Sequence, residues 1–218
     1  MAARAARMAP ALTTDLASAD RRESAKSEMR ARILATADRL FYHQGIRAVG
    51  VDTVADEVGI SKRTLYNYFP SKEALVAAYL EGRASALPPS DLPPVEQVLG
   101  SFDRLERYFE SQGFRGCPFV NAIAELSDAG AEINKIAIDF KEGRRLWYRD
   151  LLVRLGVADP DGLATQLRLL IEGAIATALV SRNAKVARSA GEAARALLAG
   201  AGVQLPVSAG AAKSKRKR

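Results

Sequence analysis

The chain has 218 residues, of which 48% are hydrophobic and 26% are charged, and its formal net charge at pH 7 is +7. This composition is typical of a globular protein with a core and argues against a membrane protein, because no uninterrupted apolar run approaches the ~20 residues of a spanning helix. The basic charge suits a polyanionic partner without identifying it. The single cysteine, Cys117, excludes an internal disulfide, and we expect a cytoplasmic protein.

The N-terminal segment is predicted to contain one disordered arm and one helix. Residues 1–27 lack a sustained apolar period, so we expect disorder there. From about Ser27 to Gln44 a helical stripe follows, which is made of Ile33, Ala37, Leu40 and Phe41 and ends at Gly45. The one histidine, His43, lies at the end of this helix, where we expect a solvated side chain.

Two short helices joined by a turn are predicted between Val51 and Phe69. The first has apolar residues at helical spacing, namely Val51, Val54, Ala55 and Val58. Gly59 can end it in a left-handed conformation, and Ser61 can cap the helix that follows. That second helix is rich in hydrogen-bonding side chains, which predicts a helix-turn-helix whose second helix enters a DNA major groove.

The segment from Ile33 to Leu80 resembles the DNA-binding domain of the TetR family of transcriptional regulators. The resemblance is strongest over residues 59–75, GISKRTLYNYFPSKEAL. It implies an all-α fold, with an N-terminal three-helix DNA-binding domain and a C-terminal helical domain for ligand binding and dimerisation. Ala, Leu and Arg dominate the sequence, which also favours an all-helical protein. At Gly50 the family usually has Ser or Thr, but glycine is an acceptable N-cap.

We assign the DNA-binding residues to this second helix and to the start of the next. Because Arg pairs well with guanine and Asn with adenine, the candidates for base edges are Lys62, Arg63, Thr64 and Asn67. The candidates for phosphates are Tyr66, Tyr68 and Lys72, of which the resemblance supports Tyr66 and Lys72. Leu65 and Phe69 are expected in the core.

Prolines mark the expected boundary between the domains. Four of them lie between Leu87 and Pro94, where no helix can form. We therefore predict a DNA-binding domain over 28–86, a linker over 87–94, an effector-binding and dimerisation domain over 95–200, and a basic disordered tail over 201–218. The helices expected after the linker are Val95–Gln112, Pro118–Ser127, Ala131–Leu155, Pro160–Ser181 and Ala184–Ala199.

A small-molecule pocket is expected in the second domain. The segment Gly116-Cys117-Pro118-Phe119 resembles one that borders the effector cavity in a subset of TetR regulators. Since such a pocket needs apolar walls and a few polar groups, we predict an effector pocket lined by Phe102, Phe109, Cys117, Phe119, Asn121, Glu125, Trp147, Tyr148, Leu151 and Ile171. Ordinary core positions are the alternative for each, and Cys117 could be a buried filler.

The predicted helix Pro160–Ser181 is apolar nearly all round, so it needs two partners. One is the core of its own domain, and we assign the other to a second copy of the chain. The predicted dimer interface comprises Leu163, Leu167, Leu170, Ala174, Ala178, Ala190, Ala194 and Leu197. A further stripe of the same helix holds Leu169, Gly173, Ala176 and Val180. The alternative is a central helix in a monomeric bundle.

These features together predict a ligand-responsive transcriptional regulator, in the first place a repressor. It would bind a palindromic operator as a homodimer and be released by a small-molecule effector. The alternative is an effector-independent architectural DNA-binding protein, which would not need a second domain of this size. The sequence lacks a nucleophile–base motif, a phosphate loop and metal-ligand spacing, so we predict no enzyme activity, no catalytic residue, no metal site and no cofactor.

Overall fold

The described part of the chain is entirely helical. A computed structural model describes residues 9–84, 90–126 and 130–206, and these residues form α1 (Ala9–Gln44), α2 (Val51–Val58), α3 (Lys62–Tyr68), α4 (Lys72–Arg83), α5 (Pro94–Glu110), α6 (Pro118–Glu125), α7 (Ala131–Arg154), α8 (Pro160–Ser181) and α9 (Val186–Gly200). The chain divides into two compact units at the bond between Gly82 and Arg83. The predicted all-α fold is confirmed.

The first helix is longer than the sequence pattern suggested. It begins at Ala9, so the prediction of a disordered arm is wrong for residues 9–27, whereas residues 1–8 lie outside the described residues. Residues 9–27 include five alanines, two leucines and two arginines, which favour a helix even without an apolar stripe. The side chains of residues 20–28 are exposed, and the Ser24 hydroxyl donates a hydrogen bond to Glu28 Oε1, 3.4 Å away.

The core of the first unit holds the helix-turn-helix in place. Ile33 and Ala37 of α1, Val54 of α2 and Leu65 of α3 are all completely buried. The rings of Phe41 in α1 and Tyr79 in α4 meet edge-on, with centroids 5.7 Å apart. Because the inner face of α3 is anchored in this core, its opposite face is directed to solvent.

The second unit is a helical bundle in which α8 packs against α7 and α9, and α5 packs against α9. Its buried core includes Phe102 of α5, Leu152 of α7, Leu167 of α8 and Leu198 of α9. The buried side chain of Gln97 in α5 donates its Nε2 hydrogens to the carbonyl oxygens of Ser90 and Leu92, which precede this helix, at 3.2 and 2.7 Å. Residues 85–89, which span the predicted boundary between the DNA-binding domain and the linker, lie outside the described residues, as do residues 207–218 of the predicted tail.

Helix α8 starts where the sequence predicts, with Pro160 in its first turn and the Asp159 carboxylate accepting a hydrogen bond from the Gly162 amide at 2.9 Å. By length and composition alone, this helix could cross a membrane. Leu163 and Leu167, however, are buried in the core of the second unit. Packing within the protein therefore accounts for the apolar character of that face.

The two apolar stripes of α8 have different surroundings, and this corrects the predicted dimer interface. Six of the eight predicted interface residues are buried within their own chain, namely Leu163, Leu167, Ala174, Ala178, Ala190 and Ala194. Their side chains fill the core of their own unit, so the prediction that they contact a second chain is wrong. Leu170 and Leu197 are partly buried against the same core. The second stripe is open, since Leu169 is 66% exposed and Val180 is 85% exposed.

Candidate functional site

The turn between α2 and α3 depends on a glycine. Gly59 has φ +79° and ψ +36°, which is the left-handed region. Its amide donates to the Asp56 carbonyl and the Ile60 amide donates to the Ala55 carbonyl, both at 3.0 Å. This is the Schellman arrangement that satisfies the last carbonyls of a helix. Arg32 of α1 adds a hydrogen bond from Nη2 to the carbonyl oxygen of Val58 at 3.1 Å.

Helix α3 begins at a serine cap, as the sequence predicts. The Ser61 hydroxyl accepts a hydrogen bond from the Thr64 amide at 3.0 Å, and the two hydroxyl groups lie 2.8 Å apart. Thr64 is half-buried and takes part in the cap, whereas the other candidates for base contacts, Lys62, Arg63 and Asn67, are exposed. Leu65 and Phe69 are buried, so the prediction that they belong to the core is confirmed.

Four of the candidate DNA-binding side chains share one exposed surface of α3. Lys62, Arg63, Tyr66 and Asn67 are all exposed, at positions that repeat with the period of a helix. Tyr66, although aromatic, leaves 39% of its surface open to solvent. Tyr68 lies at the end of α3 and is half-buried. The surface thus combines two cations, a carboxamide and a phenol, which can bind phosphates and base edges.

Lys62 has a partner within the first unit. Its Nζ lies 2.9 Å from Oδ2 of Asp52 in α2, and both side chains are more than half exposed. The hydrogen bond to Asp52 and the charge of that carboxylate raise the pKa of the Lys62 ammonium. In this arrangement Asp52 offsets one positive charge of the exposed α3 surface.

The start of α4 carries the last candidate for a phosphate contact, Lys72. The Ser71 hydroxyl caps this helix by accepting a hydrogen bond from the Ala74 amide at 3.0 Å. Hydrogen bonds from the backbone and from Ser71 lower the pKa of the neighbouring Glu73 carboxyl. Lys72 itself is half-buried. A lysine in the first turn of a helix favours an anion at this position.

The second unit contains a cavity of about 570 Å³, with walls from α5, α7, α8 and the start of α6. Five of the ten residues predicted for an effector pocket line it, namely Cys117, Phe119, Trp147, Tyr148 and Ile171. The other five do not line this cavity. Phe102, Phe109 and Leu151 are core residues instead. Asn121 donates from Nδ2 to the carbonyl oxygen of Arg115 at 2.8 Å, and Glu125, near the end of α6, is outside the cavity wall.

The sequence interpretation missed the charged residues of the cavity. Its wall includes Arg104, Lys141, Arg144, Arg168 and Glu172. Charges at helical spacing usually indicate a solvated face, and these come from three separate helices. One signal was present, because Arg168 and Glu172 interrupt an otherwise apolar helix four residues apart. Two charged side chains on the same face of α8 indicate that this face borders a polar environment.

The polar groups of the cavity form two clusters. In the first, Glu172 accepts hydrogen bonds from Lys141 Nζ at 2.6 Å and from Arg168 Nη2 at 3.1 Å. Arg168 Nη1 also donates to the carbonyl oxygen of Lys141. In the second, the hydroxyl groups of Tyr148 and Ser101 lie 2.6 Å apart. Burial raises the pKa of Tyr148, so this phenol is a neutral hydrogen-bonding group.

Cys117 lies directly before α6, with Pro118 in the first turn of that helix as predicted. Its thiol is free and buried, with 7% of the residue exposed. The preceding Gly116 has φ +81°, and its carbonyl accepts a hydrogen bond from the Tyr108 hydroxyl at 2.7 Å. The connection between α5 and α6 is therefore held by side-chain hydrogen bonds to its backbone.

Comparison with known proteins places both units in one family. The sequence model of "Bacterial regulatory proteins, tetR family" matches residues 33–79. A crystal structure from Streptomyces avermitilis, described as a TetR transcriptional regulator, is 32% identical, with 81% of this chain and 99% of that chain covered and a TM-score of 0.73.

Two further relatives are similar over much of the chain. The HTH-type transcriptional regulator YjdC of Escherichia coli K12 is 28% identical over 69% of this chain and 83% of its own length. The HTH-type transcriptional repressor KstR2 of Mycolicibacterium smegmatis is 28% identical over 62% of this chain and 68% of its own. The match to the helix-turn-helix and the shared architecture of both units lead to one conclusion: this chain belongs to the TetR family of transcriptional regulators.

Proposed function

We propose that this regulator is a homodimeric repressor in the cytoplasm, which binds a palindromic operator and is released by a small molecule. The observation that carries the proposal is the exposed surface of α3, with Lys62, Arg63, Tyr66 and Asn67 held outward by a buried inner face. Helices anchored in this way read base edges in the major groove.

On this surface, the side chains would have separate roles. Arg63 and Asn67 are exposed and are proposed to contact base edges, because Arg suits guanine and Asn suits adenine. Tyr66 and Lys72 are proposed to bind phosphates and so to fix the register on the duplex. Lys62 would contribute after exchanging its Asp52 partner for DNA.

The outer stripe of α8 supports pairing of two chains. Leu169 and Val180 are 66% and 85% exposed, and the smaller Gly173 and Ala176 lie between them. Small residues at the centre of a stripe allow two helices to approach closely. A groove beside it exposes further apolar side chains, including Ile138, which is 65% exposed. An apolar surface of this kind is typical of an interface between copies.

The cavity in the second unit would bind the effector. Its volume of about 570 Å³ falls in the ordinary range for small-molecule sites. Ligand binding would release the operator if it favoured a spacing of the two α3 helices that no longer matches the half-sites. This coupling requires that the ligand bind one state of the dimer better than the other.

Selection from a pool of random DNA duplexes tests the proposal. We expect the wild-type protein to enrich a palindrome whose half-sites are separated by about one helical turn, ~34 Å, or a multiple of it. The Arg63→Ala, Asn67→Ala double variant should lose this enrichment. Arg154→Ala, which removes an exposed arginine at the end of α7, should retain it. Binding without sequence preference would favour the architectural DNA-binding protein instead.

A further inference from the structure

The cavity wall carries an excess of positive charge. Arg83, Arg104, Lys141, Arg144 and Arg168 contribute five cations, and Glu172 is the carboxylate among the described wall residues. These cations are spread over residues 83–168, so the fold brings together charges that are distant in the sequence. Surface charges on a helix usually point to open water, whereas these surround one concave space.

Glu172 is already used within the protein. It accepts hydrogen bonds from Lys141 at 2.6 Å and from Arg168 at 3.1 Å, and thus compensates part of the charge of both. The Nε atom of Arg168 remains buried without a hydrogen-bond partner. Buried donors are nearly always satisfied in native proteins, so this atom calls for an acceptor. A ligand oxygen in the cavity would supply one.

Arg104 and Arg144 lie near the second polar cluster. Burial and the nearby charges of Arg104 and Arg168 lower the pKa of the Arg144 guanidinium. The same three arginines act electrostatically on the Tyr148 hydroxyl, which is hydrogen-bonded to Ser101. Mutual repulsion among like charges is relieved when an anion enters between them.

The other walls of the cavity are apolar and aromatic. The rings of Phe119 and Phe140 are stacked, with centroids 3.9 Å apart, and Arg144 lies 5.0 Å above the Phe140 ring. Trp147 meets Tyr148 edge-on at 4.9 Å. A purely polar anion would leave these surfaces unmatched, because apolar walls gain most from burying apolar ligand atoms.

We infer that the cavity binds an amphipathic organic anion, with an apolar body against Phe119, Phe140 and Trp147 and an acidic head group among Arg104, Arg144 and Arg168. The inference rests on the proposed effector role of the cavity and specifies the chemical class of the effector. Neutral compounds of the same shape would leave the net positive charge of the wall unchanged, and cationic compounds would be repelled.

The test uses four probes with one decyl chain and different head groups: decanoate, decyl phosphate, decan-1-ol and decyltrimethylammonium. The chain has a single tryptophan, Trp147, and it lines the cavity, so intrinsic fluorescence reports on binding there. We expect both anions to bind the full-length wild-type protein at least about tenfold more tightly than the alcohol. The cation should bind more weakly still.

Variants separate the cavity charge from the general charge of the protein. Arg104→Gln and Arg144→Gln should each remove most of the preference for anions over the alcohol, while Arg154→Gln should retain it. Circular dichroism and thermal melting establish that each variant is folded, and the exposed Arg104 gives a substitution with little effect on packing.

Three results would overturn the inference: equal affinity for the anions and the alcohol, preference for the cation, or no binding of any probe. Because the assay contains no DNA, none of these results bears on operator recognition. Failure of the proposed function would instead appear in the duplex selection.

Discussion

Lys62 and Asp52 form an ion pair across the helix-turn-helix, with 2.9 Å between Nζ and Oδ2. The pair joins the first turn of α3 to the first turn of α2 and is open to solvent. It therefore places a carboxylate beside the surface that we propose for DNA. A phosphate and this carboxylate would compete for the same ammonium group.

We expect Asp52→Asn to increase operator affinity several-fold at low salt. The substitution releases Lys62 and removes a negative charge next to the phosphates. Glu57→Gln is the matched control, since it also removes an exposed carboxylate from α2. This carboxylate is paired with Arg39, at 2.6 Å, and not with Lys62. Fluorescence anisotropy with a labelled operator measures both variants. An equal increase in the two would mean that net charge, and not the release of Lys62, is responsible.

Tyr66→Ala should weaken operator binding by about 1–3 kcal/mol, as expected for the loss of a well-placed contact. The fold should be retained, because Tyr66 is 39% exposed and alanine favours a helix. Tyr66→Phe keeps the ring and removes the hydroxyl, so it separates stacking from hydrogen bonding. Gel shifts over a range of salt concentrations provide the measurement.

The control for this experiment is His43→Ala, which removes an exposed side chain at the end of α1. It should leave the affinity unchanged. If Tyr66→Ala also bound the operator like the wild type, Tyr66 would have no contact with DNA.

Two glycines that flank α2 should respond to substitution in opposite directions. Gly50 is the N-cap, with φ −78°, and a Cβ there would meet Thr53 Oγ1 only at 3.9 Å. Gly50→Ser should therefore stabilise the protein by about 0.3–1 kcal/mol through a new cap and a less flexible unfolded chain. Gly59→Ser should destabilise it by about 1–2 kcal/mol, because its φ of +79° is unfavourable for other residues.

The free energy of unfolding of both variants is measured by urea titration, with circular dichroism as the signal. The same side chain is introduced at both sites, so the composition of the two variants is identical. A loss of stability in Gly50→Ser would show that the cap position does not tolerate a hydroxyl.

Val180→Asp should shift the protein from dimer towards monomer. Val180 is 85% exposed on the outer stripe of α8, and a carboxylate there would be desolvated in a paired state. We expect self-association to weaken at least tenfold, or about 1.4 kcal/mol. Leu92→Asp, at an apolar position 53% exposed before α5, should not affect pairing. Sedimentation velocity distinguishes the species, and an unchanged dimer in Val180→Asp would exclude this stripe from the interface.

The carboxylate of Asp161, in the first turn of α8, binds two arginines of α7. It should make the free energy of unfolding depend on pH in the acid range. Hydrogen bonds from Arg145 and Arg149, at 2.7 and 3.1 Å, lower the pKa of the Asp161 carboxyl. A lowered pKa stabilises the folded state above the unfolded pKa of about 4, and this contribution is lost as pH falls through the folded value.

Asp161→Asn tests that dependence. The variant should unfold at lower urea concentration than the wild type near pH 7, and the difference should shrink towards about pH 3. Thr165→Ala, one turn further along α8, is the control and should show the same difference from the wild type at both pH values. A difference for Asp161→Asn that does not change with pH would contradict the ionic origin.

The helix-turn-helix could be predicted because its determinants are local. Gly59 and Ser61 mark the turn, and the buried Val54 and Leu65 repeat at helical spacing. The start of α8 could be predicted for the same reason, because the adjacent residues Asp159 and Pro160 are a typical N-cap and first-turn residue. Signals of this kind depend on neighbours in sequence, which a single chain displays directly.

The cavity and the faces of α8 could be predicted only in part. Both stripes of α8 are apolar, and only the positions of α7 and α9 decide that Leu167 is buried while Leu169 is exposed. Arg104, Arg144 and Arg168 are far apart in the sequence, so their convergence follows from the packing of three helices. The extension of α1 to Ala9 was missed because intrinsic propensity, without an apolar stripe, leaves no periodic pattern.

The open stripe of α8 has a consequence for gene dosage. If two chains must meet before an operator is held, then at low abundance the supply of assembled repressor rises more steeply than the supply of polypeptide. A modest change in synthesis or degradation would thus produce a disproportionate change in transcription, before any small molecule is present.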